Sequence, residues 1–307
     1  MTDFSRGFSR SGYKNRRGSA WGSTIAVVIV VVLSLVAAAG LAKTFGKHDR
    51  SVAWDGASSF ATAFSSNPNV IFVFQKDPKR AVFLQLGNGL NGNFADGQTF
   101  VKNLSVALGV PINNYVEAKV NSMDDAKKAL MDFSSIMTPV KILTVGWGNS
   151  GMGTNISRID ALKLWWQIKS IRANDVKTVT LAPEDDSTNS KVLGTTSDYL
   201  NQMAAPYFEN LKVVSEDISI NIVNKSGQSR APGLAADFVL AVGGRVGDVS
   251  AGGEQQENCN ILTNRKNSYS VKYLAKLFSC DIKDTAQDEE SPFMTVEIGA
   301  SFADKYL

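Results

Sequence analysis

The residues able to do chemistry in this chain are few, and their spacing excludes most catalytic classes. The single histidine, His48, lies six residues beyond the end of a long apolar run, 22–42. Ser-His-Asp, Cys-His and multi-histidine metal chemistry are therefore absent from the part of the chain long enough to fold. Two cysteines, Cys259 and Cys280, cannot make a four-ligand zinc site. Outside a membrane they predict a disulfide, since one opens a strand and the other ends the following helix. Lys225, Ser226 and Arg230 precede a predicted helix, and an anionic glycan or phosphate could dock on them. The plainer reading is that Gly227 turns the backbone and the cations are solvated. The acidic triplets Glu184-Asp185-Asp186 and Asp288-Glu289-Glu290 lack EF-hand spacing and read as solvated charge, so no metal is expected. Residues 146–153 (GWGNSGMG) could cradle a phosphate at a helix start. They match neither a P-loop nor a dinucleotide fingerprint, and read as a plain connection, so no cofactor is expected. Trp165 and Trp166, adjacent on a helix, must face different ways. One is expected in the core, the other on a membrane-proximal surface or against sugar.

The elements that would position these groups follow from periodicity. Residues 70–74 (VIFVF) and 81–86 (AVFLQL) flank Asp77-Pro78 and predict a hairpin. Phe100, Val101, Leu104, Ala107 and Leu108 follow at helical spacing, with Gly109 as the stop. A strand over 115–120 precedes a helix over 123–133, whose first turn carries Asp124 and Asp125. Strands over 141–145 and 176–181 enclose a helix capped by Ser157, and another helix runs over 197–208. The alternation of helices and strands predicts an α/β layered domain over 70–212. Residues 213–307 predict a smaller βαββαβ domain: strands over 213–224, 245–249, 259–263 and 293–298, with helices over 232–242 and 270–278.

Residues 22–42 (GSTIAVVIVVVLSLVAAAGLA) carry no charge, and about 20 such residues span a hydrocarbon core as a helix. Upstream lie Arg6, Arg10, Lys14, Arg16 and Arg17 against Asp3 alone, so residues 1–21 are expected to stay in the cytoplasm and the bulk of the chain outside. A cleaved signal peptide is the competing reading, with Ala37, Ala39 and Ala42 as cleavage positions, but its apolar region is usually shorter. Residues 43–69 read as a stalk. The net charge is +3 and the tail supplies +4, which leaves −1 for the remainder. That is no footprint for a nucleic-acid partner.

Residues 218–307 resemble the C-terminal domain of LytR–CpsA–Psr cell-envelope proteins. The resemblance is carried by Asn224-Lys225-Ser226-Gly227, by Pro232-Gly233-Leu234-Ala235-Ala236-Asp237, and by Thr295-Val296-Glu297-Ile298-Gly299 with Phe302-Ala303-Asp304. Upstream, residues 108–116 (LGVPINNYV) and Thr154-Asn155-Ile156-Ser157 resemble parts of the family's main domain in a shortened form. The resemblance implies an envelope location, with cell-wall glycopolymer or envelope proteins as partners beside the membrane itself. It also implies an enzyme that grips a pyrophosphate with arginines and a metal with aspartates. The matching segment 87–97 has Asp96 as its one charged residue, and no arginine lies between Arg80 and Arg158. The expectation is therefore a non-catalytic binding or scaffolding relative. A glycopolymer transferase with a rearranged cleft built from Arg80, Arg158 and Arg172 is the alternative, and a pure protein-interaction module the third reading.

Overall fold

The structure, a computed structural model, describes residues 54–64, 69–87, 96–117, 122–142, 153–181, 198–285 and 293–307. The predicted span 22–42, His48, both acidic triplets and nearly all of the glycine-rich stretch lie outside these residues. No helix among the described residues is long and apolar enough to cross a membrane.

The hairpin forms as its composition dictates. Strands β1 (Phe60–Phe64), β2 (Val70–Gln75) and β3 (Arg80–Leu86) pair antiparallel in sequence. β2 and β3 are apolar at nearly every position rather than alternately, as expected of strands covered on both faces. β4 (Asn114–Val116) and β5 (Val176–Leu181) add parallel at the two edges, giving the order β4-β1-β2-β3-β5. One face packs Ile71, Val73, Val82 and Leu84 against α1 (Gly97–Leu108). The other packs Phe60, Phe72, Phe74 and Phe83 against α2 (Met123–Phe133) and, beyond the short α3 (Thr138–Lys141), α4 (Arg158–Ile168). Asp96, Ser122 and Ser157 cap α1, α2 and α4 by accepting backbone N–H groups of their first turns.

Three expectations are corrected. The stretch read as a stalk contains β1, because five residues of modest size, FATAF, suffice once β2 and β4 flank them. Lys141 ends α3 instead of opening a strand, since Pro139 sits in the first turn, where it favours a helix start. Residues 211–216 form a helix ahead of the next strand rather than part of it.

The second sheet follows α5 (Asp198–Ala204) and α6 (Leu211–Glu216). Its strands are β6 (Ser219–Asn224), β7 (Arg245–Ala251), β8 (Asn260–Thr263), β9 (Asp281–Asp284) and β10 (Phe293–Ile298), in the order β7-β6-β10-β8-β9. β9 and the terminal helix α9 (Ala300–Tyr306) extend the expected βαββαβ pattern. Ile220, Ile222, Val296 and Ile298 alternate onto one face, under α7 (Ala231–Ala241), α8 (Tyr269–Phe278) and α9. β7 pairs with β6 through a register shift between Ile220 and Ile222, where a bulge falls. Cys259 and Cys280 are bridged with Cα atoms 4.4 Å apart, tying the start of β8 to the end of α8.

The two sheets share a seam within one compact unit, residues 52–307. Val106 of α1 joins the second core and Ala241 of α7 joins the first. Gly109 ends α1 at φ 60°, and a side chain there would collide with Asn201 of α5. Asn201 instead donates to the carbonyls of Leu108 and Gly109, satisfying that helix end. Asp237 of α7 lies in the same seam, where burial, then the Asp198 carboxylate, push its carboxyl up to about 6.

Two outcomes follow. Replacing both cysteines by serine should cost about 3 kcal/mol of unfolding free energy, the chain-entropy value for a loop of this length, read by urea titration of the oxidised protein against the variant. Asp237 is held charged at neutral pH against its surroundings, so its contribution is unfavourable above about 6 and relieved as pH falls toward the ordinary 3.8. Asp237→Asn should therefore raise the thermal midpoint at pH 7 and leave it unchanged below pH 4.

Candidate functional site

A concavity lies between the first sheet and α8. α8 presents Tyr269, Lys272, Tyr273, Lys276 and Leu277, the i, i+3, i+4, i+7, i+8 face of a helix. Facing them are Trp54 to Ala61 on one wall and Pro111, Asn113 and Asn114 on the other, enclosing about 320 Å³. That is the lower end of small-ligand sites, roughly 300–1,000 Å³.

Each wall is fixed by bonds that sequence neighbours alone could not make. The Trp54 backbone N–H donates to Asp160 of α4 at 2.7 Å, and its indole N–H to the Ser58 carbonyl at 2.9 Å. The ring meets Phe60 and Phe74 edge-on. Asp55 folds the next turn by accepting from the Ala57 and Ser58 N–H groups, and its other oxygen accepts the Tyr269 hydroxyl at 2.7 Å. Asn210 donates to that same hydroxyl oxygen at 2.9 Å. Glu216 caps α8, accepting from the Ser268 hydroxyl and from the N–H groups of Tyr269 and Ser270 at 2.6–2.8 Å.

These partners set the electrostatics. Burial pushes the Asp55 carboxyl up, but the N–H donors of Ser58 and Ala57 and the hydroxyls of Tyr269 and Ser58 outweigh it and hold Asp55 below its ordinary value. Burial, then the Asp55 carboxylate, push the Tyr269 phenol far up, and burial, then Tyr269 and Asp55, do the same to Tyr273. Asp55 therefore stays ionised and Tyr269 protonated across the physiological range. Neither is poised for general acid–base work, which needs a pKa near the operating pH. What remains toward the groove is apolar ring surface and two ammonium groups. Tyr269 and Tyr273 stack with centroids 6.0 Å apart and an interplanar angle of 11°. Such a groove can hold a ligand with an apolar face and negative charge; it offers no described nucleophile–base pair.

The residues singled out from the sequence are placed elsewhere. Lys225 is ion-paired with Glu297, and Ser226 bonds to Asn224, closing the turn before α7. Arg230 is exposed at the start of that helix. Arg80 opens β3, bonded to Gln75 and lying 5.5 Å from the Tyr207 ring. Arg158 begins α4 and Arg172 follows its far end, so a helix of 11 residues, about 16 Å, separates them. The three arginines are not brought to one cleft, and none lines the groove. Among the described residues no group of three His, Cys, Asp or Glu side chains could hold a metal ion. Trp165 is half-buried and Trp166 61 % exposed, correcting the expectation that one enters the core: Asp160, Ala161, Leu164 and Ile168 occupy the inward face of α4. Sequence reasoning missed Trp54 and Asp55 as wall residues, and read α8 only as a helix over 270–278. The spacing Tyr269, Lys272, Tyr273, Lys276 was the available signal.

No family model matches the chain, and no curated protein matches it. Among solved structures it is similar to TagT bound to LIIa-WTA, at 15% identity over 44% of this chain and 82% of that one, with a TM-score of 0.29. A likeness of that size transfers neither a fold nor the role of any residue.

Glu216 provides a direct test of the α8 wall. Burial opposes its charge, but the Ser268 hydroxyl and the N–H groups of Ser270 and Tyr269 hold its carboxyl down to about 2. Its stabilising contribution is complete above the ordinary 4.5 and disappears as pH falls toward 2. Glu216→Gln should lower the thermal midpoint at pH 7 and flatten its fall between pH 4.5 and 2, measured by circular dichroism.

Proposed function

We propose that this chain is a single-pass envelope protein whose folded part binds an anionic cell-wall polymer without transferring it. The location rests on residues 22–42 and on the charge asymmetry around them, together with the LytR–CpsA–Psr resemblance of residues 218–307. The binding role is carried by one observation: the α8 face, with two stacked tyrosines and the Lys272 and Lys276 ammonium groups, opposite a wall whose Asp55 carboxylate is already bonded. Rings bind sugar faces and ammonium groups bind phosphate or carboxylate, so a charged glycan satisfies both. Transfer from a lipid pyrophosphate would need cations on the developing charge, and the separation of Arg80, Arg158 and Arg172 supports binding over transfer.

The test uses polyglycerol phosphate chains as probe, with a neutral chitin oligosaccharide beside them. Binding should be salt-sensitive, stronger for the anionic chain, and weakened roughly tenfold by Lys272→Ala with Lys276→Ala, the scale of losing two partly exposed charge contacts. Equal binding of both probes, or no effect of the double variant, would overturn the reading. So would turnover of a lipid-pyrophosphate-linked glycan with magnesium that disappears on Arg80→Ala or Arg158→Ala.

A further inference from the structure

Beside the groove, α4 and the segment before it carry an apolar face that neither core absorbs. Ile136 is 83 % exposed, Met137 56 % and Trp166 61 %, with Val140 half-exposed beside them in the same short segment. The segment is held against α4, because the Trp165 indole N–H donates to the Ser135 carbonyl at 2.9 Å. On α4, Ile159 and Trp166 stand seven residues apart and so share the outward ridge. The Lys169 ammonium lies 3.2 Å from the Trp166 ring centroid. Residues 134–142 and 158–172 carry Lys141, Arg158, Lys163, Lys169 and Arg172 against one acid, Asp160, which is buried.

The geometry points to this face bedding into the anionic surface of the bilayer that holds the chain's own span, an inference that rests on reading residues 22–42 as that span. Two observations select lipid over other occupants. The first is chemistry: bulky apolar groups and an indole beneath the Lys169 ammonium are what an interface rich in anionic headgroups accommodates. The second is chain length. Eleven residues, 43–53, separate the predicted span from Trp54, and fully extended they reach at most about 36–40 Å. Trp54 is seated on α4 itself, its N–H bonded to Asp160 and its carbonyl accepting the Lys163 ammonium. The helix bearing Trp166 is therefore the element on which the chain arrives from the membrane.

The test uses the full chain reconstituted in phosphatidylcholine vesicles with and without phosphatidylglycerol. A nitroxide is placed at Met137→Cys or, as a control on the far sheet, at Asp248→Cys, in both cases with the native disulfide intact. In vesicles containing phosphatidylglycerol the label at 137 should lose accessibility to an aqueous nickel chelate roughly tenfold and gain accessibility to oxygen, as for a group in the acyl boundary. The label at 248 should remain open to the chelate. Lys169→Glu with Trp166→Asp should restore chelate access at 137. Full chelate access at 137 would overturn the inference, as would loss of access to chelate and oxygen together, the mark of a second copy or a protein partner. Alkaline carbonate extraction reports separately on the span. Release of the chain would refute the anchor, whereas retention with an open label at 137 refutes the docked face alone.

Discussion

Burial of the β2–β3 hairpin on both faces is the constraint from which the architecture follows. Neither strand has a polar side, so each face needs its own covering layer. One layer is α1, whose far side then meets the second sheet's core through Val106. The other is α2 and α4, and α4 in turn seats Trp54. A single hydrophobic requirement thus places the seam between the sheets on one side of the hairpin and the chain's arrival on the other. The groove forms where the lip of the first sheet meets α8.

Within that frame the carboxylates do structural work. Asp96 caps α1, Glu216 caps α8, Asp55 folds its own turn and reaches Tyr269, and Asp160 receives the Trp54 N–H. Asp96, Asp55 and Glu216 are held below their ordinary values by these donors and are not available to move protons near neutral pH, whereas burial pushes Asp160 up. The lysines of the groove are less engaged: Lys272 is exposed and Lys276 half-buried. The chain is close to neutral outside its tail, yet its groove is locally cationic, because the acids have turned inward as caps while the lysines face out.

Legibility from the sequence depended on whether the signal was local. The hairpin, the Gly109 stop, the Ser157 cap of α4 and the Cys259–Cys280 bridge are set by residues within a few turns of each other, and all could be read. β1 could not: FATAF has too little apolar mass to announce a strand, and exists because β2 and β4 pair with it. The groove is less legible still. Its key bond, Tyr269 to Asp55, spans 214 residues, and no periodicity predicts which two distant segments will meet. Trp165 and Trp166 misled for a related reason, as large rings suggest a core when the small Ala161 and the aliphatic Leu164 already fill it.

The bulge in β7 has a consequence for how copies of this protein coexist. β7 is one of the two outer strands of its sheet, opposite β9, with Arg245, Asp248 and Val249 exposed along it. An outer strand offers a row of open amides and carbonyls to any neighbouring chain, and a long straight one invites fibrous stacking. Here the register slips opposite Asn221 and the displaced stretch carries the Asp248 charge. A visiting strand would find the ladder interrupted after two or three residues, with a carboxylate at the break. That edge of the sheet ends itself.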